Sequence, residues 1–397
     1  MAGIGAERLS LPFNSAPGDA PAFADPATHP VPAHWNRLIT SSWDSQHYIA
    51  LALRGYEYCA PRVELGPGHL PDDDPGCEVN FFPGYAFVGG WVAFVFRAPV
   101  DYALLGVSLA CSWLLMFLWT GKEMREALGS GAAWLSLLYL NAFTSAYSLA
   151  TVQTEPLAMC LAMATFVSIE RRWYLLGALA AGACSIVRPT GIATSLAFAL
   201  ALLVMTVRDR PAVQIIWRRA GLMALSGWGL IAFLLFCQIR FGDALVYVHA
   251  RARYYHCSPS LLSLLHPSYR VIARSIWAGP NEAVWLATAL VWFALGHRSA
   301  MSGFRLGGKV FWYMLFVTTV GVGAISQVEC GFSGMSRYLL LALPLFFAIA
   351  AATKDKPLAI AFWLVASLGH YWAVNACYYV SGKIPRLWEK CAIQPAS

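Results

Sequence analysis

Charge is scarce in this chain. Asp, Glu, Lys and Arg make up 12% of its 397 residues, where a soluble domain carries about 25%. That shortfall excludes an ordinary water-soluble globular domain. Zinc-type spacing is missing as well: the ten cysteines form no CxxC pair and no metal-ligand pattern with histidine. Cys111, Cys160, Cys184 and Cys237 sit inside apolar runs and read as small core residues. Cys59 and Cys77 share one polar loop and would pair only in an oxidising compartment. Residues 1–34 lack the apolar core of a secretory leader and are rich in Pro, Ala and Asp, so a disordered tail is expected there. What the chain does have is apolar mass: 58% hydrophobic residues, 16 Trp and 17 Tyr, with a mean hydropathy of +0.55. It belongs in a bilayer. The net charge of +7 is split into short Lys/Arg clusters between apolar runs, which fits membrane orientation and not nucleic-acid binding.

Length arithmetic divides the apolar runs into crossings. Residues 101–120 form one span, closed by the charged link at Lys122–Arg125. Residues 131–169 would measure about 58 Å as one helix against a hydrocarbon core of about 30 Å. A hairpin turning near Gln153–Pro156 is expected instead. Residues 173–207 would reach about 52 Å, and Arg188-Pro189-Thr190-Gly191 supplies the bend, because proline removes a donor and glycine breaks the turn. Further spans at 220–238, 281–297, 310–326, 338–353 and 357–374 bring the expected total to about ten. The segment 35–100 is mixed, with an interfacial helix expected up to Phe96. Its acidic run Asp72-Asp73-Asp74 reads as a solvated turn, since hard-cation sites space their ligands.

The basic links alternate. Lys122/Arg125, Arg171/Arg172, Arg208/Arg210/Arg218/Arg219, Arg298/Arg305/Lys309 and Lys354/Lys356 fall on one side, which the positive-inside rule makes cytoplasmic. The other side then receives Asp44/His47, Gln153/Glu155, Arg188, Asp243/His249 with Arg251/Arg253, and Arg337. Ionisable groups at membrane depth are costly and mark function.

The richest stretch is Trp43-Asp44-Ser45-Gln46-His47-Tyr48. On a helix, Asp44 shares a face with His47 and Tyr48. Solvation of an amphipathic surface helix is the plain alternative. Arg188 and Arg337 call for anions, and a planar guanidinium fork matches phosphate or carboxylate. For Arg188 an ion pair with Glu155, snorkelling to lipid headgroups and a substrate phosphate all remain open. Glu155-Pro156 opens a helix, so Glu155 either complements the helix dipole or binds substrate. His249, His256 and His266 match no metal pattern. A carboxylate beside a lipid-phosphate site suggests glycosyl transfer, with Asp44 as general base, His47 orienting it or the acceptor, and Arg188 and Arg337 stabilising the phosphate leaving group without a metal.

Trp-Asp-Ser-x-His-Tyr, then Ile-Ala-x-x-x-x-Gly-Tyr and Asn-Phe-Phe-Pro-x-Tyr, resemble the GPI mannosyltransferase II (PIG-V-like) family of the GT-C glycosyltransferases. Thr154-Glu155-Pro156-Leu157, Arg188-Pro189-Thr190-Gly191, Phe241-Gly242-Asp243 and Ser336-Arg337-Tyr338 extend the similarity, which runs from about Trp35 to Tyr371. The resemblance implies inverting transfer of mannose from a polyprenyl- or dolichyl-phosphate donor, with Asp44 as the essential aspartate of the first external loop. Two departures stand out: no span precedes the Trp-Asp loop within residues 1–34, and Ala86 replaces a proline that often follows Phe-Phe-Pro-x-Tyr.

The expected protein is therefore all-α and polytopic, a GT-C-like bundle of about ten transmembrane helices. Residues 1–34 form a tail, 35–100 an external catalytic loop with amphipathic helices, 101–374 the bundle, and 375–397 an external C-terminal tail. Asp44 and His47 are the expected catalytic residues; Tyr48, Gln153, Glu155, Arg188 and Arg337 bind substrate. No metal or other cofactor is expected. The partners are a polyprenyl- or dolichyl-phosphate sugar, a glycolipid or glycoconjugate acceptor and membrane lipids, with no nucleic acid. The compact, alanine-rich chain favours a bacterial plasma membrane with a periplasmic site over an ER membrane with a luminal one. A transporter or lipid flippase would use a similar polar cavity, but such proteins commonly carry internal repeats, and the halves of this chain show none.

Overall fold

The computed structural model describes residues 44–56, 79–254, 282–327 and 335–380. The tail 1–34, Asp72–Asp74, Cys59 and Cys77, His256 and His266 and the last residues of the C-terminal tail lie outside them. Every regular element among the described residues is helical. Helices α1 (Ser45–Arg54) and α2 (Pro83–Phe96) come first, then α3 (Val100–Trp119), α4 (Lys122–Leu128), α5 (Ser130–Ala142), α6 (Glu155–Glu170), α7 (Tyr174–Val187) and α8 (Ile192–Asp209). They are followed by α9 (Val213–Leu225), α10 (Trp228–Phe241), α11 (Val246–Tyr254), α12 (Glu282–Met301), α13 (Leu306–Gln327), α14 (Met335–Leu341), α15 (Pro344–Thr353) and α16 (Pro357–Val380).

Among the described residues, three helices are long and apolar enough to cross a membrane: Val100–Trp119, Pro189–Asp209 and Leu306–Ser326. The number rises to five if the pairs α9/α10, bent by 49°, and α14/α15, bent by 80°, each count as one span. This is fewer than the ten expected, because α5, α6 and α7 have 13, 16 and 14 residues, short of the roughly 20 needed for a full crossing. Trp113, Phe117, Phe94, Phe362 and Ile239 are largely exposed. So much exposed apolar surface is a liability in water but suits a lipid-facing belt. Inside, Trp119, Phe166, Phe304, Trp312 and Phe347 pack edge-on and tilted around one another.

One sequence expectation changes in detail. The break in 131–169 is longer than a tight turn at Gln153–Pro156: α5 ends at Ala142, a short 3-10 turn covers Ala146–Ala150, and α6 starts at Glu155. In a bilayer such irregular backbone must find polar partners inside the protein. Here α3 supplies them, Ser112 donating to the Leu149 carbonyl at 2.7 Å and Ser108 to the Gln153 carbonyl at 3.2 Å. The 35–100 segment is described at 44–56 and 79–100. Tyr48, Ile49, Phe82 and Tyr85 belong to the same buried core as the bundle, and α2 packs along α3.

The bundle has two chemically distinct ends. At one, the basic links meet: Arg171 bonds Glu123 at 2.6 Å, Arg305 lies 3.8 Å from Glu170, and Arg219 reaches Asp209 at 3.2 Å. At the other lies the N-terminus of α6, with Glu155. Sixteen residues of α6 separate the ends by about 24 Å at 1.5 Å per residue.

Candidate functional site: a buried four-charge cluster

The site is built from chain breaks. Pro156 opens α6 at a position that tolerates a missing N–H, so Glu155 stands in the first turn, fully buried. Arg188 ends α7 in an extended conformation before the 3-10 turn Pro189–Gly191. Two glycines fix that bend. A Cβ on Gly191 would lie 1.8 Å from the Cys184 carbonyl oxygen, and one on Gly84 would lie 2.7 Å from that of Ile186. The start of α2 is therefore pressed against the end of α7, just before Arg188. Asp44 stands at the N-terminus of α1, where its carbonyl accepts the His47 and Tyr48 amides. Arg337 lies in the first turn of α14.

These four residues converge, although Asp44 and Arg337 are 293 positions apart in sequence. Arg337 donates from Nη1 to Asp44 Oδ2 at 2.8 Å, from Nε to Glu155 Oε1 at 2.7 Å and from Nη2 to Gln153 Oε1 at 2.8 Å. Arg188 Nη1 lies 3.0 Å from the same Glu155 Oε1. Two carboxylates and two guanidinium groups balance in charge, as burial requires. Polar neighbours hold them in place. Gln153 Nε2 donates to Ser45 Oγ at 3.4 Å, Ser45 Oγ to the Val152 carbonyl at 2.9 Å, and Ser145 Oγ to Ser336 Oγ at 2.8 Å.

Satisfaction is incomplete on one side. Both arginines share Oε1 of Glu155, and its buried Oε2 has no hydrogen-bond partner among the described residues. The same holds for Nε of Arg188 and for Oγ1 of Thr190, two residues along the bend. Buried polar atoms are nearly always paired, so orphans in one place call for an explanation. Asp44 keeps a partly exposed side chain, at 27%.

The structure brings Asp44, Gln153, Glu155, Arg188 and Arg337 into one contact network. His47 and Tyr48 line the adjoining wall: His47 stacks on Phe81 with ring centres 4.4 Å apart, and Tyr48 meets Phe81 and Tyr85 edge-on. Burial, reinforced by the Asp44 charge, raises the Tyr48 phenol far above its ordinary value, so it remains a neutral phenol. His249 pairs instead with Asp243 at 2.8 Å, on the turn that opens α11. The sequence reading did not single out Ser108, Ser145 or Thr190. Serines inside an apolar run such as α3 were the available signal, because they mark carbonyls in need of donors. No group of three or more His, Cys, Asp or Glu side chains among the described residues could hold a metal ion. No family model matches the sequence, and no curated protein matches it either.

Proposed function

We propose that this protein is a GT-C-type integral-membrane glycosyltransferase, crossing the bilayer about ten times, with its site on the non-cytoplasmic face. It moves a hexose, mannose by the sequence resemblance, from a polyprenyl- or dolichyl-phosphate sugar to a glycolipid or glycoconjugate acceptor. The observation that carries this reading is the convergence of Asp44, Glu155, Arg188 and Arg337 at the end of the bundle opposite the basic links. The positive-inside rule puts those links in the cytoplasm. In the reaction, the acceptor oxygen attacks the anomeric carbon as Asp44 takes its proton. The anomeric carbon–oxygen bond to phosphate breaks with inversion, and the departing phosphate keeps the electron pair beside Arg188. General-base help of this kind contributes about 10²–10⁴-fold.

The test uses Asp44→Asn in purified full-length protein with radiolabelled polyprenyl-phosphate sugars and membrane extract. The carboxamide oxygen can still accept from Arg337 but takes no proton, so the variant should bind donor and lose transfer. Undiminished turnover sinks the role of Asp44. The two bent helix pairs favour a second reading, a transporter or flippase, since broken helices line transport sites. Movement of lipid-phosphate sugar across proteoliposomes with no product formed would select it.

A further inference from the structure

We infer that the two arginines divide the work: Arg188 seats an oxyanion of the lipid phosphate, while Arg337 holds Asp44 in position and binds no phosphate. The division rests on the lipid-phosphate reading above. All three nitrogens of Arg337 are engaged by the protein itself, Nε with Glu155, Nη1 with Asp44 and Nη2 with Gln153. A phosphate that took these donors would have to displace a carboxylate. Arg188 differs. It is nine-tenths buried, its Nη1 forms an ion pair with Glu155 Oε1 at 3.0 Å, and its Nε makes no hydrogen bond among the described residues. A buried guanidinium whose Nε is unmatched is set to receive an oxygen of a phosphate monoester or diester on that edge.

The other orphans complete the match. Thr190 Oγ1 is a further buried donor on the same bend, and Glu155 Oε2 is a buried acceptor. Donors for oxyanions together with an acceptor for a hydroxyl suit a sugar phosphate better than a bare phosphate. The contacts agree: Arg337 meets oxygens of Asp44, Glu155 and Gln153, whereas Arg188 meets the single Glu155 Oε1. A phospholipid headgroup and free inorganic phosphate share the phosphate chemistry but lack a hydroxyl-bearing ring next to it.

Binding separates these sources without requiring turnover. Full-length protein in phosphatidylcholine nanodiscs would be titrated calorimetrically with citronellyl phosphate, citronellyl phosphoryl mannose and inorganic phosphate, and compared with protein in phosphatidylglycerol nanodiscs. The expected order is sugar phosphate tighter than lipid phosphate, inorganic phosphate far weaker, and little competition from phosphatidylglycerol. Arg188→Gln should weaken both lipid ligands at least tenfold, and Arg188→Lys less. Arg337→Lys should change their affinity by no more than about threefold while lowering kcat at unchanged donor KM. Should Arg188→Gln alone misfold, Arg188→Gln with Glu155→Gln keeps the cluster neutral and must show the same loss. Wild-type protein that binds no lipid phosphate, or an Arg188→Gln protein that binds it normally, overturns the seat. Equal losses in Arg188→Gln and Arg337→Lys overturn the division. Transfer with an unaltered donor KM in Arg188→Gln refutes the seat and leaves the glycosyltransferase standing; binding through Arg188 with no transfer does the reverse.

Discussion

Glu155 is where the cluster is most sensitive. Its side chain is fully buried and one of its oxygens faces both Arg188 and Arg337. Glu155→Gln keeps the shape but leaves two buried guanidinium groups against one carboxylate, Asp44. Removing one partner of a buried pair costs about 3–5 kcal/mol, because the remaining charge is left uncompensated. With an unfolding entropy of about 2.1 cal/mol/K per residue, that lowers the thermal midpoint by about 4–6 °C for a chain of this length. The second arm is the double variant Glu155→Gln with Arg188→Gln, in which Asp44 and Arg337 again balance. Neighbours in one network couple by about 0.5–3 kcal/mol, so the double variant should be more stable than the sum of the singles. Melting of the purified protein in detergent, followed by intrinsic Trp fluorescence, reads all three. Strict additivity, or a Glu155→Gln protein as stable as wild type, would refute the idea that this cluster is held by internal charge balance.

Gly191→Ala drives a methyl group into the Cys184 backbone; overpacking of this kind costs about 1–3 kcal/mol, and melting should show it along with weakened lipid-phosphate binding as Arg188 moves. Ser45→Ala strands the Val152 carbonyl at a cost of about 1–3 kcal/mol, measurable by the same assay with the charged residues intact. Burial raises the Glu123 carboxyl, but the hydrogen bond and charge of Arg171 outweigh it, so its value lies below the ordinary one. That stabilisation is present above the unfolded value near pH 4.3 and fades as pH falls through the folded one. Glu123→Gln should therefore flatten the acid side of the melting-versus-pH curve, whereas an unchanged acid slope counts against the link. Leu53→Cys and Ser302→Cys, both at exposed positions, should gain labelling from opposite sides of sealed vesicles; labelling from one side would undo the proposed orientation.

Helix type and order were readable along the chain because a bilayer imposes one rule, continuous apolar length, and punishes irregular backbone. The bend at Arg188 follows from Pro189 and Gly191, and Pro156 marks the start of α6. The break ahead of α6 was harder to see. Residues 143–154 lie inside a long apolar run, and the hydroxyls of Ser108 and Ser112 on α3 and of Ser45 on α1 pair carbonyls of that backbone where it leaves the helix.

The site divides in the same way. Sequence alone determined the apolar runs long enough to cross a membrane, and charge counting along the links led to the expectation that Asp44, Glu155, Arg188 and Arg337 share one face. Those are one-dimensional properties, set by hydropathy and the order of charges. Which carboxylate each arginine meets was decided only by the tertiary structure. Hydrogen-bond partners depend on ångström-scale packing: Gly84 and Gly191 let backbones close on α7, and α14 delivers Arg337 across nearly 300 residues of chain. That packing engages all three nitrogens of Arg337 with protein partners and leaves Nε of Arg188 without one among the described residues.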